Sequence, residues 1–321
     1  MRNFLLECLF FFLLQAALIG GLVLGFYDAR EENPLYASTS IKHRRLETAP
    51  SPRLILVGGS NLLFGIDSEM IEQQTGYHAV NMGLIGGLRL EYILNEALEG
   101  VRRGDLVVLS IEYSSLNAEL ESVHLEVMFG VVAARPANLR YVSVSQWKEA
   151  FDNGALQYLG AVFRQAIGRI TRGEDATARR ERGARPVLES INEYGDLTLY
   201  HAPRARLPRN ANNQQTLSRV NVEQVHLSVD RINNFAHRCE QAGAHVVYVA
   251  PPVPLIEFQK HRDIAMQFDE LLAHRLHVPI IVRPAEAVFT DRDFIGRSYH
   301  LHGDAVRQRT QQLIDAIKSM Q

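Results

Sequence analysis

The sequence predicts a three-layer α/β/α domain around a central five-stranded parallel sheet, preceded by one transmembrane helix. Three observations predict it. Short apolar, β-rich runs alternate with amphipathic helical stretches, the pattern of parallel strands joined by crossover helices. The third such run, Asp105–Tyr113 (DLVVLSIEY), is continuously apolar, as suits a strand covered on both faces. The N-terminal segment is a single long apolar run.

That run, Asn3–Phe26, reads NFLLECLFFFLLQAALIGGLVLGF, with Glu7 its only charge. At ~1.5 Å per residue it is about 36 Å long, enough for a ~30 Å hydrocarbon core. A cleaved signal would carry a shorter apolar region and a small-x-small site, but this run ends in Gly25-Phe26-Tyr27-Asp28-Ala29. Residues 3–26 are therefore expected to be an uncleaved anchor. Arg2 precedes it, and Asp28, Arg30, Glu31 and Glu32 follow it. This bias favours N-terminus in, with the bulk of the chain on the periplasmic or extracellular side of an inner (cytoplasmic) membrane.

Residues 27–52 read as a polar tether containing Lys42-His43-Arg44-Arg45 and Pro50-Ser51-Pro52. The domain then occupies 53–321. Its strands are expected at Arg53–Val57, His78–Met82, Asp105–Tyr113, His245–Ala250 and Pro279–Val282. Helices are expected near 61–75, 88–101, 221–242, 254–274 and 304–319. A mostly helical insertion at about 114–222 interrupts the rhythm, with pieces at Leu120–Ala134, Val144–Phe151 and Gln157–Ile170. It also holds Arg179, Arg180, Arg182, Arg185, Arg204, Arg206 and Arg209, a solvated loop or a binding surface for an anionic glycan.

Composition removes several function classes. The 321 residues carry a formal net charge of -2, which is no nucleic-acid footprint. Cys8 and Cys239 are the only cysteines, so no internal disulfide framework exists. The glycines after the first strand, at 58, 59 and 65, do not make G-x-G-x-x-G, and no P-loop is present. HExxH is absent and His300/His302 lack a third ligand group, so no metal and no cofactor are expected.

Ligands of parallel sheets sit at the carboxyl ends of the strands. Ser60 follows strand one, Gly86 follows strand two, and His300 follows the last strand, so topology puts all three on one rim. Gly59 permits a tight turn and close backbone approach. Ser60 then starts a helix, where it is an N-cap or a nucleophile. His300 is placed to take the Ser60 proton as general base.

Taken together, these segments resemble the SGNH/GDSL hydrolase superfamily, in particular its membrane-anchored branch of envelope-polymer acylation (DltD-like and alginate O-acetylation-like proteins). Gly58-Gly59-Ser60-Asn61 with Phe64-Gly65-Ile66-Asp67 resembles the nucleophile block. Asn81 through Gly86 resembles the second block, and Tyr299-His300-Leu301 the final His block. The likeness covers about 53–113 and 245–320. It implies a catalytic Ser60 and His300, with Gly86, Asn61 and Gly59 at the oxyanion and substrate side. The chain departs from the pattern in three places. Ser110-Ile111-Glu112-Tyr113-Ser114 stands where a Gly-x-Asn donor belongs. Gly296 and Arg297 stand where the acid belongs, leaving Asp293 to complete a triad or a Ser60–His300 dyad to act alone. His302 stands where many relatives have Asn.

The resemblance implies an extracytoplasmic serine acyltransferase or esterase, acting with acetyl or another small acyl group. Its partners would be a polysaccharide or other envelope polymer and a membrane-bound acyl-donor protein. The alternative is a catalytically inactive SGNH-fold scaffold or binding subunit of a polymer modification or export machine.

Overall fold

The computed structural model describes residues 2–26, 34–85, 87–117, 125–172, 187–202, 217, 221–295 and 299–320. Its centre is a parallel five-stranded sheet. The strands are β1 (Arg53–Gly58), β2 (His78–Asn81), β3 (Leu106–Ser110), β4 (His245–Val249) and β6 (Ile280–Val282), in the order β2-β1-β3-β4-β6. A separate parallel pair joins β5 (Val253–Pro254) to β7 (Val288–Phe289).

Alternate side chains feed two cores, as the period of a strand requires. Ile55, Val57, Val107 and Leu109 face one way. They meet α5 (Arg89–Leu98) and α9 (Val225–Gln241) through Ile93, Leu94, Val229 and Ile232, with α11 (Arg262–Arg275) behind. Leu54, Leu56, Leu106 and Val108 face the other way, against α4 (Ser68–Thr75) and α12 (Asp304–Lys318) through Ile71, Leu313, Ile314 and Ile317. The expected three layers and five parallel strands are thus present.

The strand order reverses between β1 and β3. β1 runs onward to β2 on one side, and β3 leads to β4 and β6 on the other. Such a switch point opens a crevice at the strand carboxyl ends. Here the two strands are in register, with Gly58 opposite Ser110. They also lie very close, since a Cβ on Gly58 would fall 2.1 Å from the Ser110 carbonyl oxygen.

Several expected elements differ in detail. The helix expected over 61–75 is two, α3 (Ser60–Gly65) and α4. Ile66 is extended, and the Asp67 side chain restarts the helix by accepting from the Met70 N–H at 3.1 Å. The helix expected over 254–274 likewise divides into α10 (Leu255–Lys260) and α11, on either side of His261. Conversely, the two helices expected within 144–170 are one, α8 (Val144–Arg172). Its Gly154 does not break it but lets α7 (Leu125–Ala134) approach, since a Cβ there would lie 3.2 Å from Leu125 Cβ.

The tether reading of 27–52 is corrected over part of its length. Ser38–Thr48 form α2, packed into the domain, with Lys42 and His43 buried. Lys42 Nζ donates to the carbonyls of Asn81 (2.8 Å) and Gly195 (2.6 Å). His43 Nε2 lies 2.9 Å from Glu96 Oε1, and its ring stacks on Tyr141. Each polar group of the basic cluster that enters the core has a partner, which is the condition for burying it. Arg53 is fully buried at the start of β1, on the Asp105 carboxylate.

α1 covers Arg2–Phe26 and packs along α8. Among the described residues no helix is long and apolar enough to cross a membrane, so the expected span finds no support there. The Arg-rich stretches of the insertion, at 173–186 and 203–216, lie outside the described residues.

Candidate active site

β1 ends at Gly58, Gly59 makes the turn, and Ser60 opens α3. The other end of the site is built by the segment before α12. Ile295 N–H donates to the His300 carbonyl at 2.8 Å, and Phe294 bridges to Leu301. These two links fix the backbone on which His300 stands.

His300 Nε2 lies 2.9 Å from Ser60 Oγ, although 240 residues separate them in sequence. The His300 ring stacks on Phe64, with centroids 4.0 Å apart and planes 8° from parallel. Phe64 belongs to the same short helix as Ser60. One element therefore carries the hydroxyl and also fixes the plane of the imidazole that faces it. Ser60 itself is buried, at 8% exposure.

Glu112 meets the same hydroxyl from the β3 side. Its Oε1 accepts from Ser60 Oγ at 2.8 Å and from the Asn61 N–H at 2.8 Å. The register explains this contact. Ser60 lies two residues beyond Gly58 and Glu112 two beyond Ser110, and those two residues are partners across the switch point. Gly59 makes room, since a Cβ there would lie 2.7 Å from Glu112 Cδ. Burial pushes the Glu112 carboxyl above its ordinary range. The hydrogen bonds from Asn61 and Ser60 and the charge of Arg309 oppose that rise.

Asn61 does not present its side chain to a substrate. It is fully buried, with Nδ2 donating to the Ser110 carbonyl at 2.9 Å and Oδ1 accepting from Ser110 Oγ and Arg309 Nη2. Its expected oxyanion or substrate role is corrected to a structural one for the side chain, because every polar atom of that amide is engaged in the core. Arg309 also donates to the Asn61 carbonyl at 2.6 Å. Burial pulls the Arg309 guanidinium down to about 9, against the charge of Glu112. One buried cation from α12 thus pins the Ser60 turn to β3.

Asp293 sits on its own turn. Its Oδ2 accepts from the Thr290 N–H at 2.9 Å and from Thr290 Oγ1 at 2.7 Å, a capping box over Asp291–Asp293. The described contacts of its carboxylate are with Thr290, where a triad would require His300. Gly86 lies outside the described residues. Nearby, Asn81 is structural. It links β2 to the Leu62 carbonyl and to Asp196 through Nδ2, and it accepts from the Gly83 N–H. His302 Nε2 lies 2.8 Å from the Arg292 carbonyl.

Sequence reasoning brought Ser60 and His300 to one rim by strand order. It noted Glu112 only as a residue in place of a missing donor. The available signal was positional: Ser60 and Glu112 stand at matching distances past two strands that flank a switch point. The assembled groups are a hydroxyl, an imidazole within proton-transfer distance and a buried carboxyl, which is equipment for nucleophilic acyl transfer. Among the described residues, no group of three His, Cys, Asp or Glu side chains is arranged to hold a metal ion. No protein-family model matches the chain, and no curated protein matches it.

Proposed function

We propose that the chain is a membrane-anchored, SGNH-like serine enzyme that transfers or hydrolyses a small acyl group, acetyl being the leading case, on an envelope or secreted polysaccharide. The observation that carries the reading is the 2.9 Å approach of His300 Nε2 to Ser60 Oγ, with the ring held by Phe64. In this mechanism Ser60 Oγ attacks the acyl carbonyl carbon while its hydrogen passes to His300 Nε2. His300 returns that proton to the departing donor. It then takes the proton of the incoming sugar hydroxyl or water as the Ser60 ester breaks. The N–H groups of Ser60 and Gly86 are the proposed oxyanion holders.

The membrane part of the proposal draws on the apolar run at residues 3–26 and on its exposure in the fold. Leu9, Phe10, Phe11, Leu13, Leu14 and Leu18 of α1 are each more than half exposed. An apolar patch of that kind in water marks a surface meant for another apolar phase. The domain would then face the periplasmic or extracellular side, where a membrane-bound acyl-donor protein and an exported polymer are within reach.

The test is covalent capture. The detergent-solubilised full chain is treated with a serine-directed fluorophosphonate and read by intact mass, beside S60A and H300A. An adduct on the wild type is expected, absent in S60A and slowed about 100-fold or more in H300A. No adduct on a folded wild type would overturn the enzymatic reading. One observation favours the second reading, a non-catalytic scaffold of a polymer-modification machine. Glu112 Oε1 already occupies the Asn61 N–H beside the nucleophile. Full complementation of a deletion strain by S60A would decide for the scaffold.

A further inference from the structure

We propose that Glu112 is a third catalytic residue of this site, in a Glu112–Ser60–His300 array in which the serine is the middle member and one hydroxyl hydrogen is contested from both sides. The proposal rests on the acyl-transfer reading above and gives its nucleophile a second proton partner.

The geometry is a short chain of three groups. Ser60 Oγ is 2.8 Å from Glu112 Oε1 and 2.9 Å from His300 Nε2. A hydroxyl has one hydrogen to donate. When Glu112 is ionised, its charge makes it the stronger acceptor, and the hydrogen points away from His300. Ser60 can then be activated only if His300 is stripped of its role as a donor to Oγ and the carboxylate lets go. When Glu112 carries a proton, it donates to Oγ, and the Ser60 hydrogen is left for His300 Nε2. In the attack the O–H bond breaks, its hydrogen goes to His300 Nε2, and the Oγ electron pair forms the bond to the acyl carbon. Glu112 keeps its proton and remains hydrogen-bonded to Oγ.

The surroundings suit a carboxyl that holds a proton. Glu112 is 5% exposed, and burial raises it. The charged and titratable groups facing it are Arg309 from α12 and Tyr299 and His300 from the loop before that helix, with Tyr113 next along its own chain. Arg309 is the cation among them, and it is already bound to Asn61 and Ser110. Two groups joined through one hydroxyl titrate as a pair, so their apparent pKa values belong to the array.

The experiment measures the fluorophosphonate labelling rate against pH for the full chain in detergent, as wild type and E112Q. In parallel, the His300 ring is titrated by NMR with histidine labelled at Cε1, its signal identified by its loss in H300A. The wild-type rate is expected to rise and then fall with pH. E112Q is expected to keep the acid limb and lose the alkaline one, because an amide cannot ionise. In the wild type the His300 signal is expected to show a second inflection at the pH of the alkaline limb, where Glu112 ionises and draws the Ser60 hydrogen away, and E112Q is expected to lose that inflection. An alkaline limb that persists in E112Q, or a His300 titration identical to the wild type, overturns the proposal. If E112Q does not fold, E112D takes its place, since its shorter carboxyl must move the alkaline limb and the His300 titration together. A wild type that never labels, but whose second His300 inflection is lost in E112Q, overturns the acyl-transfer reading while leaving the shared proton in place.

Discussion

Lys42 shows how far one side chain can depart from what its neighbours in sequence suggest. It stands in the string Lys42-His43-Arg44-Arg45, yet it is fully buried and bound to two carbonyls. Burial pulls its ammonium down to about 7, against the charges of Asp196 and Glu96. In the unfolded chain an ordinary lysine titrates near ~10.4. Between those two values the unfolded state binds more protons than the folded one. Stability from this residue therefore grows as pH rises through that window and is lost as pH falls through about 7. Urea unfolding at about pH 6 and about pH 9 should show the wild type gaining on K42M at the higher pH. An equal gap at both would mean that Lys42 titrates alike in both states. Ser60 and His300 could be read from local context, a Gly-Gly turn after an apolar strand and a histidine before the last helix. Nothing in a tetrapeptide of three cations and a histidine says that a fold will enclose it. The partners that permit it, Asn81 and Gly195, lie 39 and 153 residues away.

At the scale of elements, the pairing of β1 with β3 decides where the chemistry can be. Both strands were recognisable as apolar runs, and their order along the chain implied a common rim. Their register was not recognisable, and register is what sets Glu112 against Ser60. A fully buried strand has no polar alternation to mark its phase, so DLVVLSIEY could be read over its whole length although only Leu106–Ser110 pairs. Gly58 is the residue that enforces the close pairing. G58A would drive a Cβ into the Ser110 carbonyl at 2.1 Å, so one strand must shift. The expected cost is about 1–3 kcal/mol in chemical denaturation, with slower labelling of Ser60. G168A in α8, where a Cβ meets nothing within 4 Å, should leave stability unchanged or slightly raised. Equal effects at the two positions would remove the argument from close approach. The helices of the insertion differ in the opposite sense: the two pieces expected at Val144–Phe151 and Gln157–Ile170 are one 29-residue helix, in which Gly154 serves tight packing. The break at Ile66-Asp67, which local sequence did not announce, comes where α3 is tied to α12 by Arg309.

For the whole molecule, the proposed anchor and the domain are not independent parts. α1 packs along α8, and α8 carries exposed Leu156, Phe163 and Ile167 opposite its buried Tyr158 and Val162. If α1 holds the chain in a bilayer, alkaline carbonate should leave the full chain in the membrane pellet and release a chain lacking residues 2–26. Release of the full chain would make α1 a helix that packs on protein instead.

The wide spacing of the site has a bearing on when it exists. Ser60 is made early, whereas His300 lies 240 residues later and Arg309 reaches Asn61 across 248. A ribosome adds residues one at a time, and an N-terminal segment can leave for its compartment while the rest is still being translated. During that interval the hydroxyl has no imidazole beside it and the turn that carries it has no cation beneath. If the array is catalytic as proposed, a chain that stops short of His300 is inert, since Ser60 then has no imidazole beside it.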